Sequence, residues 1–345
     1  MINKLLPTSV VGSYPQPHWL IDQKILRGRL PPRVRLHEIW KPDDEDLEEA
    51  QNDATLIAIR DQERAGVDII SDGEMRRESY SNRVANGLGG IDLDNPGTAI
   101  ERTGAANMVP RIVSPITWEG PIEAQDVAFL RVNTDRKIKI TLPGPFTMTQ
   151  QAQDDYYGDE IALAMDYAAA INQEIKALFA AGADFVQLDE PYMQARPKKA
   201  KSFAVNAINR ALDGAPGPTI VHMCFGYSHF VKEKPNGYSF LPELDSTIAD
   251  QISIEAAQPE LNLSIVSSLR SKQVMLGVIN MADPNIETPK LVAGRIRSAL
   301  DVLLPEQLIV APDCGMKYLN RKTAFGKLKA MAEGAAIVRA EIEGG

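Results

Sequence analysis

The sequence predicts an α/β protein in which strands and helices alternate, and a single (β/α)₈ barrel fits that alternation best. Three observations support this prediction. Short apolar segments rich in Val and Ile recur between segments of helical periodicity. Roughly eight such segments can be counted, and 345 residues suit one barrel. Polar residues follow these segments, where barrel active sites are built. A doubly wound open sheet is the alternative.

The expected elements run from one end of the chain to the other. Apolar segments bounded by Gly, Pro or Asp predict strands over residues 8–14, 67–73, 138–142, 185–189, 219–226, 252–255, 274–279 and 308–313. Periodicity near 3.6 predicts helices over residues 48–65, 161–181, 199–211, 244–250, 260–269, 289–303 and 323–341. Residues 1–345 are therefore expected to form one barrel domain.

One region departs from the alternation. Residues 79–136 lack clean helical periodicity and carry many Gly, Pro and Asn residues, so they are expected to form an inserted excursion. Within and beside it, residues 128–132 and 138–142 flank a polar turn, which predicts a β-hairpin. We expect the excursion to act as a lid over the barrel mouth.

Composition excludes several classes of protein. The net charge of −9 leaves no basic stripe for nucleic acid. No run of about 18 apolar residues exists, and the first residues lack the apolar core of a signal peptide, so a cytoplasmic protein without a membrane partner is expected. In that reducing setting the two cysteines, Cys224 and Cys314, should be free thiols rather than a disulfide.

Chemically useful side chains occupy the carboxyl ends of the predicted strands, which converge on one face of a barrel. His222 and Cys224, two apart on a strand, project to the same side. Imidazole, thiolate and carboxylate groups are all zinc ligands. The alternative is that these are ordinary buried or strand-end residues. The full set comprises Ser13, Glu74, Asp189, His222, Cys224, Glu255 and Cys314.

Several short motifs then give the chain a family resemblance. They are Leu6-Pro-Thr-Ser-Val-Val-Gly-Ser-Tyr-Pro15, Ser71-Asp-Gly-Glu74, Gln187-Leu-Asp-Glu-Pro191, His222-Met-Cys224, Ile252-Ser-Ile-Glu255 and Ala311-Pro-Asp-Cys-Gly315. With these motifs the chain resembles the C-terminal catalytic barrel of cobalamin-independent methionine synthase, and most closely the short single-barrel "core" members of that family. The motifs extend over nearly the whole chain.

The resemblance implies a cytoplasmic S-methyltransferase that converts homocysteine to methionine. It implies a Zn²⁺ ion held by His222, Cys224, Glu255 and Cys314. Homocysteine would lie against Gly12 and Ser13, and the catalytic carboxylates Glu74 and Asp189 would hold its ammonium group. Both carboxylates are expected to be ionised. Glu190, beside Asp189, is either a partner in this site or an acid that braces a loop.

The chain also departs from the family pattern at three places. Gln151 stands where a pterin-stacking Trp is expected, Ala106-Asn-Met-Val109 replaces an Arg-containing folate segment, and Asn280-Met-Ala282 replaces an Asp-x-His proton-donor motif. These departures favour a methylated corrinoid, either methylcobalamin or a corrinoid protein, over 5-methyltetrahydrofolate as methyl donor.

Other functions stay open from the sequence. Zinc enzymes of the same superfamily alkylate other small thiols, including coenzyme M. A zinc hydrolase and a metal-free decarboxylase are less compatible with two cysteines at strand ends. A noncatalytic protein that binds zinc or a thiol is the alternative from another class, and zinc content separates it from the metal-free alternatives.

Overall fold

The computed structural model describes residues 4–102 and 104–344. Short strands alternate with helices, as Val- and Ile-rich segments and helical periodicity predict. The strands are β1 (Ile69–Ile70), β2 (Leu88–Ile100), β3 (Ala106–Trp118), β4 (Lys137–Pro143), β5 (Gln153–Asp154), β6 (Phe185–Asp189), β7 (Thr219–Met223), β8 (Gln251–Ile254), β9 (Gln273–Ile279) and β10 (Leu308–Pro312). The α-helices are α1 (Gln23–Gly28), α2 (Asp44–Ala65), α3 (Asn82–Asn86), α4 (Ala124–Val132), α5 (Pro145–Gln150), α6 (Glu160–Ala180), α7 (Pro191–Ala195), α8 (Pro197–Leu212), α9 (Pro289–Leu300) and α10 (Arg321–Gly344).

The central sheet is parallel and curls into a barrel. Its strand order is β1-β4-β6-β7-β8-β9-β10, and each neighbouring pair is parallel. The two edge strands are joined through the segment at Thr8 and Ser9. Ser9 N donates to Val310 O at 2.9 Å, and Ile69 N donates to Thr8 O at 2.9 Å. The expected (β/α)₈ fold class is confirmed, with this short bridging segment in the eighth strand position.

Apolar side chains near the amino ends of the strands pack together and fill one end of the barrel interior. This cluster takes one or two residues from each of five strands: Ile69, Phe185, Ile220, Met275, Ile309 and Ala311. Several predicted site residues, including Glu74, Asp189 and His222, lie instead at or just beyond the carboxyl ends of the strands.

The excursion is confirmed, but its predicted hairpin is wrong. Residues 128–132 belong to helix α4, which buries Val127 and Leu130 at helical spacing. The hairpin is instead formed by β2 and β3, which pair antiparallel with register shifts between Gly89 and Ile91 and between Asp92 and Gly97. β3 also pairs with the short strand β5 at Arg111 and Ile112. Such bulges and the edges of a small sheet tolerate the Gly and Pro residues of this region.

Three further predictions need correction. The first predicted strand, residues 8–14, makes ladder contacts only at Thr8 and Ser9. The segments predicted as helices over 244–250 and 260–269 contain only short 3₁₀ helices, Pro242–Ser246 and Leu263–Ser268. Apolar spacing over so few residues does not supply enough buried contact to propagate an α-helix. In the part of the chain that the structure describes, no helix is long and apolar enough to cross a membrane.

Candidate active site at the carboxyl ends of the strands

A cleft opens at the carboxyl ends of the barrel strands. It collects residues from the first bridging segment, the excursion and the ends of β6, β7 and β10. Its lining includes seven of the predicted site residues and several that the sequence did not indicate: Val11, Gly12, Ser13, Glu74, Tyr80, Arg102, Asp189, Pro191, His222, Cys224, Gly226, Tyr227, Cys314 and Gly315.

His222, Cys224 and Cys314 form a compact group of metal-binding side chains. One potential ligand atom from each lies within 4.8 Å of the others, and all three residues are buried. His222 lies on β7, and the two cysteines follow β7 and β10. The Nδ1 atom of His222 is 2.9 Å from Ser253 Oγ, whereas its Nε2 atom is buried without a hydrogen-bond partner in the described residues.

The chemistry of this group fits zinc. Two thiols and an imidazole are the soft and borderline ligands that zinc prefers. A buried ring nitrogen without a partner is costly, and a metal ion would satisfy it. The hydrogen bond between Nδ1 and Ser253 orients the ring and leaves Nε2 available, as in many metal-binding histidines.

The two thiols influence each other. The hydrogen bond from the Cys314 thiol lowers the pKa of Cys224 well below its usual range. The same hydrogen bond raises the pKa of Cys314 well above its usual range. The positively charged form of His222 also favours the Cys224 thiolate. The group is therefore arranged to hold negative charge on sulfur, as a cation-binding site requires.

Glu255, the fourth expected ligand, is not part of that three-residue group. It follows β8 and is fully buried. One carboxylate oxygen accepts a hydrogen bond from Phe225 N at 2.9 Å, and the other pairs with Lys234 Nζ. Burial raises the pKa of Glu255 to about 8, against the opposing charge of Lys234. In this structure a lysine therefore occupies the position next to Glu255 that a cation could take.

Glu74 lies in a turn after β1, where its backbone has a positive φ of 58°. Its Oε1 atom accepts a hydrogen bond from Thr141 Oγ1 at 3.3 Å, and its Oε2 atom is buried without a partner in the described residues. Burial raises the pKa of Glu74, while Arg77 and Lys317 oppose the shift. A strained backbone that holds a buried carboxylate in a cleft is typical of a functional position.

Asp189 and Glu190 are neighbours in sequence but have different surroundings. Asp189 lines the cleft and accepts a hydrogen bond from Gln187 Nε2 at 2.6 Å. Burial raises its pKa to about 7, and the charge of His222 opposes that rise. Glu190 points away and accepts hydrogen bonds from Phe146 N at 3.0 Å and Thr147 N at 2.8 Å. Glu190 therefore braces the first turn of α5.

Gly12 and Ser13 bring backbone close to these acids. A Cβ atom on Gly12 would lie 2.5 Å from Glu74 Oε1, so a larger residue here would displace this carboxylate. Ser13 O accepts a hydrogen bond from Met316 N at 2.7 Å, which ties the segment to the loop that carries Cys314. The two halves of the cleft are thus fixed relative to each other.

Sequence reasoning missed three residues of the cleft. Tyr80 and Arg102 come from the excursion, and Tyr227 from the loop after β7. Gln151, at the position where a pterin-stacking Trp was expected, donates a hydrogen bond from Nε2 to the Tyr80 hydroxyl at 2.6 Å. No strand-end pattern marks these residues, because their position depends on how the excursion folds over the barrel.

Residues 6–337 match the family model described as "Cobalamin-independent synthase, Catalytic domain". The chain belongs to this family. It is 36% identical to proteins named "Methionine synthase" from Saccharolobus solfataricus and Sulfurisphaera tokodaii, with 98% of this chain covered in each case and 96% and 94% of the relatives.

Solved structures agree with this assignment. A B12-independent methionine synthase from a Shewanella species, in complex with selenomethionine, superposes with a TM-score of 0.89 at 32% identity, covering 99% of both chains. A putative vitamin-B12 independent methionine synthase from Listeria monocytogenes matches with a TM-score of 0.73 at 20% identity, covering 97% of this chain and 99% of its own, and supports the fold alone.

These relatives decide several expectations. The family resemblance and the expected enzyme class, a methyltransferase of the methionine synthase type, are confirmed. The expected corrinoid donor and corrinoid protein partner receive no support, because the family and the Shewanella relative are both described as independent of cobalamin. The extent of the domain over 1–345 and the roles of individual site residues stay predictions.

Proposed function

We propose that this chain transfers a methyl group from 5-methyltetrahydrofolate to the sulfur of homocysteine, forming methionine. The observation that carries the proposal is the pairing, in one cleft, of two buried carboxylates with a His/Cys/Cys group. The family is described as cobalamin-independent, which favours the folate donor. The departures from the family motifs at Gln151, residues 106–109 and residues 280–282 favour methylcobalamin instead.

The acidic half of the cleft suits the ammonium group of an amino acid. Burial raises the pKa of both Glu74 and Asp189. In such a site a carboxylate interacts strongly with a bound cation such as an ammonium group. A bound ammonium would lower both pKa values and keep the carboxylates ionised. The Shewanella relative was solved with selenomethionine, an amino acid of the product class, which agrees with this assignment.

The other half of the cleft suits a zinc ion. His222, Cys224 and Cys314 would hold the metal, with Glu255 as the fourth protein ligand once it leaves Lys234. Zinc, when bound, would supply the charge that favours the deprotonated form of a nearby thiol. Ser253 holds the His222 ring in place, and Cys224 and Cys314 supply the negative charge of the site.

The proposed reaction is a transfer of the methyl group from nitrogen to sulfur. The homocysteine sulfur forms a bond to the methyl carbon as the bond between that carbon and N5 of the folate breaks. The thiol proton is released to solvent, and N5 of the folate takes up one proton from solvent, so no proton is gained or lost overall. The chain's residues position the amino acid and accept its charge, and they do not form a covalent bond to the methyl group.

The first test combines metal analysis with methyl transfer. We expect about one zinc per chain, and methionine formation from homocysteine with 5-methyltetrahydrofolate but not with methylcobalamin. His222→Gln should lose zinc and activity. His229→Gln is the matched control, because His229 contacts Arg27 O outside the cleft and should retain both.

Three other outcomes would contradict the folate donor, the catalytic activity or the metal site. Turnover with methylcobalamin alone would reject the folate donor and restore the corrinoid. Zinc without transfer from either donor to homocysteine would favour the noncatalytic zinc- or thiol-binding protein, unless a second thiol such as coenzyme M is methylated. Absence of zinc from the wild-type protein purified without chelator would reject the metal site.

A further inference from the structure

The tip of the hairpin formed by β2 and β3 reaches into the cleft. The two strands end at Ile100 and Ala106, and the turn is closed by hydrogen bonds from Glu101 N to Ala105 O at 2.9 Å and from Gly104 N to Glu101 O at 2.9 Å. Arg102 lies in this turn and lines the same cleft as Asp189 and Cys224.

This tip is anchored rather than loose. Glu101 is buried and accepts hydrogen bonds from Arg33 Nε at 2.7 Å, Arg33 Nη2 at 3.3 Å and Asn107 Nδ2 at 3.0 Å. The Tyr192 hydroxyl also donates to Glu101. These four contacts hold the Glu101 side chain in place. Because Arg102 follows Glu101 directly, the same contacts also restrict the backbone position of Arg102.

Among the described residues, no carboxylate pairs with the Arg102 guanidinium. The guanidinium stacks over the Tyr192 ring, 5.3 Å from its centroid. It also lies against Gly226, where an added Cβ atom would be 2.7 Å from Arg102 Nη1. Nη1 is buried and has no hydrogen-bond partner in the described residues. A buried donor on a permanent cation needs an acceptor, and a bound anion would supply one.

The acids and the arginine that line the cleft complement the two charges of an amino acid. Glu74 and Asp189 suit an ammonium group, and Arg102 offers a planar donor fork that matches a carboxylate. We infer that Arg102 binds the α-carboxylate of the amino-acid substrate and product, and so selects thiols that carry both charges. This inference rests on the proposed function and goes beyond it by assigning a specificity residue within the excursion.

The assignment also separates amino-acid thiols from other small thiols. A thiol without a carboxylate leaves Arg102 unpaired, and one without an ammonium group, such as coenzyme M, leaves Glu74 and Asp189 unpaired. Buried polar groups without partners give strong discrimination against such analogues. Homocysteine satisfies both ends.

The test measures binding to the zinc-loaded protein by calorimetry, without any methyl donor. The two probes are L-methionine and 3-(methylthio)propylamine, which is methionine without its carboxylate. We expect Arg102→Met to weaken L-methionine binding about 10- to 100-fold, as loss of a charge-assisted hydrogen bond predicts, and to leave the already weak binding of the amine unchanged. Arg102→Lys should recover part of the loss.

Arg111→Met is the matched control. Arg111 lies on the same hairpin but pairs with Asp155 at the surface, at 2.6 Å, so its loss should not alter binding of either probe. Equal weakening of both probes in Arg102→Met, or unchanged binding of L-methionine, would overturn the assignment of Arg102 alone. Failure of wild-type protein to bind L-methionine would overturn the proposed function as well.

Discussion

The buried pair of Glu101 and Arg33 should make a large and pH-dependent contribution to stability. Burial raises the pKa of Glu101, but the charge and hydrogen bonds of Arg33 outweigh it and lower the pKa from 4.5 to about 2. A difference of that size corresponds to about 3 kcal/mol of unfolding free energy at neutral pH. We therefore expect Glu101→Gln to destabilise the protein by about 3 kcal/mol at pH 7, since Arg33 is left buried and unpaired.

The sign of the pH dependence follows from the lowered pKa. Glu101 stabilises the folded state fully above the unfolded-state pKa of about 4.5, and the contribution disappears as the pH falls towards 2. Urea denaturation at several pH values between 7 and 3 should therefore show the gap between wild type and Glu101→Gln shrinking to less than half. Hydrogen exchange at pH 7 should show the variant's loss of protection concentrated in β2 and β3.

Asp155→Asn is the control for this prediction, because Asp155 pairs at the surface with Arg111 of the same hairpin. Its removal should change stability little, since solvent and salt screen such pairs. A gap between wild type and Glu101→Gln that stays constant from pH 7 to pH 3 would refute the reasoning. So would a gap at pH 7 no larger than that of Asp155→Asn.

Three further predictions concern the cleft and Glu190, which lies beside it in sequence. Ser253→Ala removes the hydrogen bond that orients His222, so zinc affinity measured by chelator competition should fall about 10- to 100-fold, while Ser264→Ala, on a surface 3₁₀ turn, should have no effect. Glu74→Gln should raise the KM for homocysteine at least tenfold with a smaller change in the KM for the methyl donor, as loss of a charged hydrogen bond predicts. Glu190→Gln should leave both KM values near those of the wild type. It should lower the thermal midpoint of unfolding, because Glu190 accepts hydrogen bonds from the first turn of α5. An increase in the homocysteine KM equal to that of Glu74→Gln would contradict this prediction.

Much of the candidate site could be predicted because a parallel barrel imposes a simple rule. Residues at the carboxyl ends of strands converge, so Glu74, Asp189, His222 and the two cysteines could be grouped from strand boundaries alone. The structure places all of them along one cleft. The rule says only that residues approach, however, and not which side chains share a contact. Glu255 is an example: it lies at a strand end, but its carboxylate pairs with Lys234. Lys234 lies in a loop, where no strand periodicity marks it.

The excursion could not be predicted in the same way. Its hairpin packs only partly against the barrel, so burial does not impose a regular alternation of apolar residues on β2 and β3. The helix α4 was mistaken for a strand because its apolar segment is short, and short apolar segments fit both periods. The position of Arg102 depends on long-range contacts of its neighbour Glu101, including the one with Arg33, which is 68 positions away in sequence.

The sequence alone determined the barrel, its strand-end acids and its His/Cys/Cys group, because these depend on local periodicity and on a topology with one functional face. Tertiary structure decided the rest. It separated Asp189, which faces the cleft, from Glu190, which caps a helix, and it paired Glu255 with Lys234. It also placed an arginine from the excursion in the lining of the same cleft. Those outcomes depend on which side chains meet across distant segments, and no local pattern records such contacts.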